Sequence, residues 1–223
     1  MRRPVLLINF KNYGEVLGQG ALRLAATAET VSRRFELDLI VAPPVPMLSQ
    51  VAASVKVPVF SQAVGDRQEG MSTGATIPEA LKAAGCSGSI INHSESRVSL
   101  ETVANVVPRM KRLGLSSCVC GEDASEVARM AGFAPEFLAV EPPELIGSGI
   151  AVSQARPELL RDTVASARGA GYAGRLLCGA GIATGRDAGV AMSLGMDGVL
   201  VASSIVKSRD WESKITELAR GLL

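Results

Sequence analysis

Short apolar runs alternate with amphipathic segments along the whole chain. The runs over 5–9, 37–42, 57–61, 88–92, 116–120, 137–140, 175–178 and 197–201 predict strands, and their near-continuous apolarity is that of a parallel sheet covered on both faces. Between them lie helical patterns. Leu24, Ala28, Val31 and Phe35 recur at spacings of four, three and four, as do Trp211, Ile215, Leu218 and Leu222 near the C-terminus. Thr184 and Asp187 have the spacing of a capping box opening the penultimate helix. Pro108 falls inside the helical pattern over 100–113, where it predicts a kink or a division. Residues 63–76, with Gly65, Gly70 and Gly74, carry neither strand nor helix signal, and loops of that length are usually functional or interfacial.

No linker, low-complexity tract or composition shift divides the chain. Eight strand-then-helix units in 223 residues predict an α/β fold, a (β/α)8 barrel forming one catalytic domain over 1–223. The competing architecture is an open doubly wound sheet. That fold normally has a glycine-rich turn after its first strand, whereas here Asn9-Phe10-Lys11-Asn12 stands there.

Composition narrows the partners. Hydrophobic residues make up 47% and aromatics 4%, a balance for aliphatic packing of helices on strands. The net charge of +1 argues against nucleic acid and against an anionic membrane surface, so any anion site must be local. No run approaches the ~20 apolar residues of a membrane span. Residues 1–11 are basic and then apolar, but Asn9 and Lys11 cut that run short of a signal peptide. Of the four cysteines, Cys86, Cys118, Cys120 and Cys178, the pair Cys118 and Cys120 point to one face of an expected strand, poor geometry for a local disulfide. Reduced thiols in a cytoplasm are the simplest reading. One histidine makes a Cys/His zinc set implausible, and no metal or cofactor is expected.

In a barrel the chemistry gathers at the carboxyl ends of the strands. Phe137-Leu138-Ala139-Val140 ends on Glu141, followed by Pro142, Pro143 and a loop with Gly147 and Gly149. Desolvation there would make Glu141 a stronger base, while the plainer reading is a strand-terminal carboxylate paired with a cation. Alternation puts Asn9 and Lys11 on one side of the first strand's end and Phe10 on the other. His93, in Asn92-His93-Ser94-Glu95, falls where a neutral imidazole could donate to a substrate oxygen. Glu95 is either a second base or, the preferred reading, the ion-pair partner of Lys11 or Arg97. Small-residue turns over 178–182 and 201–204 let backbone N–H groups approach a phosphate.

These stretches, together with Glu141-Pro142-Pro143-Glu144-Leu145-Ile146-Gly147-Ser148-Gly149, resemble triosephosphate isomerases over the whole chain, in order. The resemblance is to the compact archaeal form: Gly181 stands where the commoner enzymes have serine, Ala202-Ser203 where they have two glycines, and the chain is shorter. It implies interconversion of dihydroxyacetone phosphate and D-glyceraldehyde 3-phosphate in glycolysis and gluconeogenesis. Glu141 would be the base, His93 the electrophile, and Asn9 and Lys11 substrate contacts. Residues 146–149, with Ile146 and Gly147, would close as a lid, and Gly181, Ala202 and Ser203 would hold the phosphate. It further implies a homotetramer, with the 63–76 loop reaching across an interface. A metal-dependent epimerase would need more histidines, and a Schiff-base aldolase would want its lysine on a middle or late strand. A barrel that only binds is the remaining alternative.

Overall fold

In a computed structural model, which describes residues 2–142 and 155–223, the apolar runs form eight strands. They are β1 (Val5–Asn9), β2 (Asp38–Ala42), β3 (Phe60–Ser61), β4 (Gly88–Ile91), β5 (Ser116–Gly121), β6 (Phe137–Val140), β7 (Arg175–Cys178) and β8 (Gly198–Val201). Pairing is parallel in the order β2-β1-β8-β7-β6-β5-β4-β3. The end strands β2 and β3 meet in the single bridge Val41–Val59, so the sheet nearly closes into a (β/α)8 barrel.

The expected bounds of β1, β6 and β7 match, and β2, β3, β4, β5 and β8 differ by one to three residues at one end. Pro58 has no N–H to give a ladder, which leaves β3 two paired residues; its carbonyl still accepts from the Val41 N–H at 3.0 Å. β4 stops at Ile91 because Asn92 turns into the left-handed region at φ 62°. β8 pairs with β1 from Gly198, where a Cβ would lie 2.2 Å from the Val5 carbonyl oxygen, so the two strands can approach there only because the residue is glycine.

Strand alternation builds two cores. Leu7, Ile40, Ile90, Cys118, Ala139, Leu177 and Leu200 fill the barrel interior. Leu6, Ile8, Val41, Ile91, Leu138 and Val199 face outward beneath the helices. Each such buried aliphatic side chain contributes about 1.5–3 kcal/mol. The covering helices are α1 (Gln19–Ser32), α2 (Leu48–Ser54), α3 (Pro78–Ala83), α4 (Leu100–Arg112), α5 (Ala124–Ala131), α6 (Pro157–Gly169), α7 (Gly185–Ser193), α8 (Ser203–Val206) and α9 (Trp211–Leu222). Leu24, Ala28 and Val31 are buried on α1, and Phe35, past its end, packs on the same core. Thr184 and Asp187 form the expected reciprocal cap, at 3.2 and 2.9 Å. The helix they open is not penultimate, because the short α8 intervenes before α9.

The expected division at Pro108 does not occur. α4 runs unbroken through it, with Pro108 on the exposed face, where the Ala104 carbonyl it leaves without an intrahelical donor is only partly covered. Residues 63–76 contain no helix or strand, as expected. The base of this loop is nevertheless held by its own chain. The Gly65 N–H donates to the Thr76 carbonyl at 2.8 Å, and the Arg109 guanidinium donates to the Asp66 and Arg67 carbonyls at 3.2 and 2.7 Å. Only the tip, with a fully exposed Met71, stands clear. The four cysteines are buried and form no disulfide. No helix among the described residues is long and apolar enough to cross a membrane.

Candidate active site

The carboxyl ends of β1, β4, β6, β7 and β8 bring most of the expected residues to one mouth. Asn9 closes β1, buried, and its Oδ1 accepts the Lys11 N–H at 3.0 Å. That bond fixes Lys11 in the left-handed region, at φ 49°, and turns its side chain along the rim. The Lys11 ammonium reaches Glu95 Oε1 at 2.6 Å. Glu95 therefore pairs with Lys11 rather than with Arg97, whose guanidinium is taken by Glu126 and, at 3.6 Å, by Glu122.

His93 follows β4 on a turn built by Asn92. The Asn92 amide donates to the Cys120 carbonyl at 2.8 Å and its oxygen accepts the Val98 N–H at 3.0 Å. His93 is buried, and its Nδ1 accepts the Glu95 backbone N–H at 3.1 Å. An amide N–H can only donate, so the neutral ring carries its proton on Nε2. Burial, reinforced by the Lys11 charge and opposed by Glu95, pulls the His93 pKa down to about 4. At neutral pH the ring is uncharged and offers Nε2–H to the cavity.

Glu141 lies immediately beyond β6, 1% exposed, with its N–H donating to the Gly121 carbonyl at 2.8 Å. Its Oε1 is 3.5 Å from His93 Nε2. Neither carboxylate oxygen has a hydrogen bond of ordinary geometry among the described residues. Desolvation pushes the carboxyl up to about 7, with the Ser94 N–H, the Cys120 thiol and the Lys11 charge opposing the rise in part. The two groups that face each other are thus a carboxyl poised near neutrality and an imidazole that stays neutral. Among the described residues no lysine or arginine is paired with Glu141, as the plainer reading would require.

Lys11, His93, Gly181, Ala202 and Ser203 line one cavity of about 360 Å³. Glu141 lies beneath its wall at Gly179, where an added Cβ would come within 2.5 Å of Glu141 Cγ. Asn9 acts on the cavity through the Lys11 N–H rather than by lining it. Gly181 is left-handed at φ 70°, and Ser203 opens α8, whose first N–H groups have no intrahelical partner. Ile146 and Gly147 lie outside the described residues. Sequence reasoning did not find Tyr13 or Lys207, which also line the cavity. Tyr13, two residues beyond Lys11, lay within reach of the strand-end rule. Lys207, six residues past β8, had no signal.

A family model for triosephosphate isomerase matches residues 4–219. The triosephosphate isomerase of Caldivirga maquilingensis is 46% identical over 223 residues, covering 100% of this chain and 99% of that protein. Those of Cenarchaeum symbiosum and Methanocaldococcus jannaschii are 44% and 39% identical, over 99% and 97% of this chain and 99% of each relative.

Proposed function

The chain belongs to the triosephosphate isomerase family, and we propose on that premise that it interconverts dihydroxyacetone phosphate and D-glyceraldehyde 3-phosphate in glycolysis and gluconeogenesis. The reading rests above all on the pairing of Glu141, its carboxyl raised to about 7, with the neutral His93 at 3.5 Å. Ionised Glu141 removes a proton from the carbon beside the substrate carbonyl and returns it to the neighbouring carbon. Between those steps negative charge develops on the carbonyl oxygen. His93 Nε2–H, on a buried residue, and the Lys11 ammonium meet that charge as fixed donors aimed where it develops. The imidazole donates as a neutral group, so no proton need be gained first. Backbone N–H groups at Gly181, Ala202 and Ser203 hold the phosphate, whose binding energy serves the transition state without reacting.

The test is direct. Purified protein coupled to glycerol-3-phosphate dehydrogenase is expected to consume glyceraldehyde 3-phosphate with saturable kinetics. Exhaustive chelation should leave the rate unchanged, because one histidine is too few for a metal-dependent epimerase. Loss of turnover on chelation, restored by a divalent cation, would favour that alternative.

The protein is further read as a cytoplasmic homotetramer. Buried, unpaired cysteines suit a reducing compartment. The tip of the 63–76 loop, with Met71 exposed and its base fixed by Arg109, is a rigidly mounted projection suited to a neighbouring subunit. Light scattering at micromolar protein should give the mass of four chains; a fully active monomer would overturn the assembly.

A further inference from the structure

The isomerase reading leaves an electrostatic question at the phosphate end of the cavity. A phosphate monoester brings close to two negative charges, whereas the backbone N–H groups at Gly181, Ala202 and Ser203 offer only partial positive charge. Lys11 is already engaged, 2.6 Å from Glu95, at the end where His93 and Glu141 meet. Gly181 also lacks the hydroxyl that a serine would bring. Among the described residues no carboxylate lines this cavity, and it has a second lysine, Lys207.

Lys207 follows α8, which begins with Ser203, and its own N–H donates to the Ser203 carbonyl at 3.0 Å. The next carbonyl back, on Val206, accepts the Trp211 indole N–H at 3.0 Å, so the backbone that carries the lysine is fixed at both positions. Its ammonium rests over the Tyr13 ring, 4.6 Å from the centroid. Tyr13 is itself partly buried against the core, and its carbonyl accepts the Val16 N–H at 3.1 Å. Among the described residues no carboxylate pairs with Lys207, although the surface pairs lysine and arginine repeatedly elsewhere. An aromatic face holds a cation in place without neutralising it. That is the arrangement for a charge kept available to a ligand.

We propose that Lys207, held on Tyr13, is a second cationic contact for the substrate's phosphate and strengthens the otherwise backbone-built anion site. The proposal rests on the isomerase reading for its substrate, but its test does not depend on turnover. Inorganic phosphate is titrated directly by calorimetry into the full protein and into five variants. Lys207→Met should weaken phosphate binding about five- to tenfold, as expected for one partly screened charge, and the deficit should shrink in high salt. Lys207→Arg should retain binding. Tyr13→Leu should weaken it by a smaller factor, and Tyr13→Phe, which keeps the ring, should restore it. Arg209→Met removes an equal charge two residues away, from a side chain that does not line the cavity, and should change binding less than twofold.

In the isomerase assay KM for glyceraldehyde 3-phosphate should rise by the same factor in Lys207→Met, with kcat changed less. Phosphate binding by Lys207→Met equal to wild type, or an equal loss in Arg209→Met, would overturn the proposal. A wild-type protein that binds phosphate through Lys207 but does not isomerise would instead overturn the functional reading and leave the anion site standing.

Discussion

Replacing Glu141 with glutamine is expected to lower turnover by at least ~10²–10⁴-fold, the loss of a general base, and at the same time to stabilise the fold at pH 8 relative to pH 5. The two effects have one cause. Glu141 is 1% exposed and its carboxyl is raised from 4.5 to about 7, so the folded state favours the protonated form. Below pH 4.5 the acid is neutral in both folded and unfolded chains, and burial carries no ionisation penalty. As pH rises from 4.5 to 7, the unfolded chain ionises first and the fold loses stability. Above 7 the full difference, about 3 kcal/mol, is in place.

Glutamine does not titrate. Its own cost of burying an amide is the same at every pH. The stability gap between Glu141→Gln and wild type, read from urea unfolding at fixed protein concentration, should therefore grow by about 3 kcal/mol between pH 4.5 and 7 and then level off. His93, lowered from 6.5 to about 4 in the folded state, adds a pH dependence of its own over that range, but it does so in both proteins and cancels in the difference between them. The wild-type kcat/KM should fall below about pH 7 as Glu141 takes up its proton. A gap that stays constant with pH would mean that Glu141 is not held against ionisation, and the base would have to be sought elsewhere.

How much of this was legible in the sequence varied with the range of the forces involved. β1, β6 and β7 could be bounded from their apolar runs because burial on both faces leaves a local signature. β3 could not, since Pro58 was legible as a residue without a ladder donor but not as the point where regular pairing would fail. The left-handed turn at Asn92, which ends β4 and presents His93, is set by bonds to Cys120 and Val98 and has no pattern of its own. The strand-end rule located Asn9, Lys11, His93 and Glu141 together. It could not choose between Lys11 and Arg97 as the partner of Glu95, a choice made by side-chain reach across the mouth. Nor could it reveal Lys207, because the ring that holds it comes from the other end of the chain. The turn over 178–182 was read as a phosphate cradle, which missed what Gly179 does for Glu141.

Gly179→Ala is expected to cost about 10²-fold in turnover although alanine brings no new chemistry. The Gly179 N–H donates to the Val140 carbonyl at 3.0 Å, which ties this residue to the strand that carries Glu141. A Cβ at 179 would lie 2.5 Å from Glu141 Cγ, and Cγ sits in mid-chain, so the carboxylate cannot yield without leaving its place. Glu141 is buried, and Gly179 lines the neighbouring cavity. Glu141 should therefore swing toward water and away from its 3.5 Å approach to His93. Two readings follow from that movement. The acidic limb of kcat/KM should move below pH 7, because a hydrated carboxyl is raised less by desolvation. The variant should also lose little stability at pH 8, because relief of the buried charge offsets the strain of the added methyl group. A limb that stays near 7 with turnover within fivefold of wild type would show that Glu141 does not need the space Gly179 leaves for it.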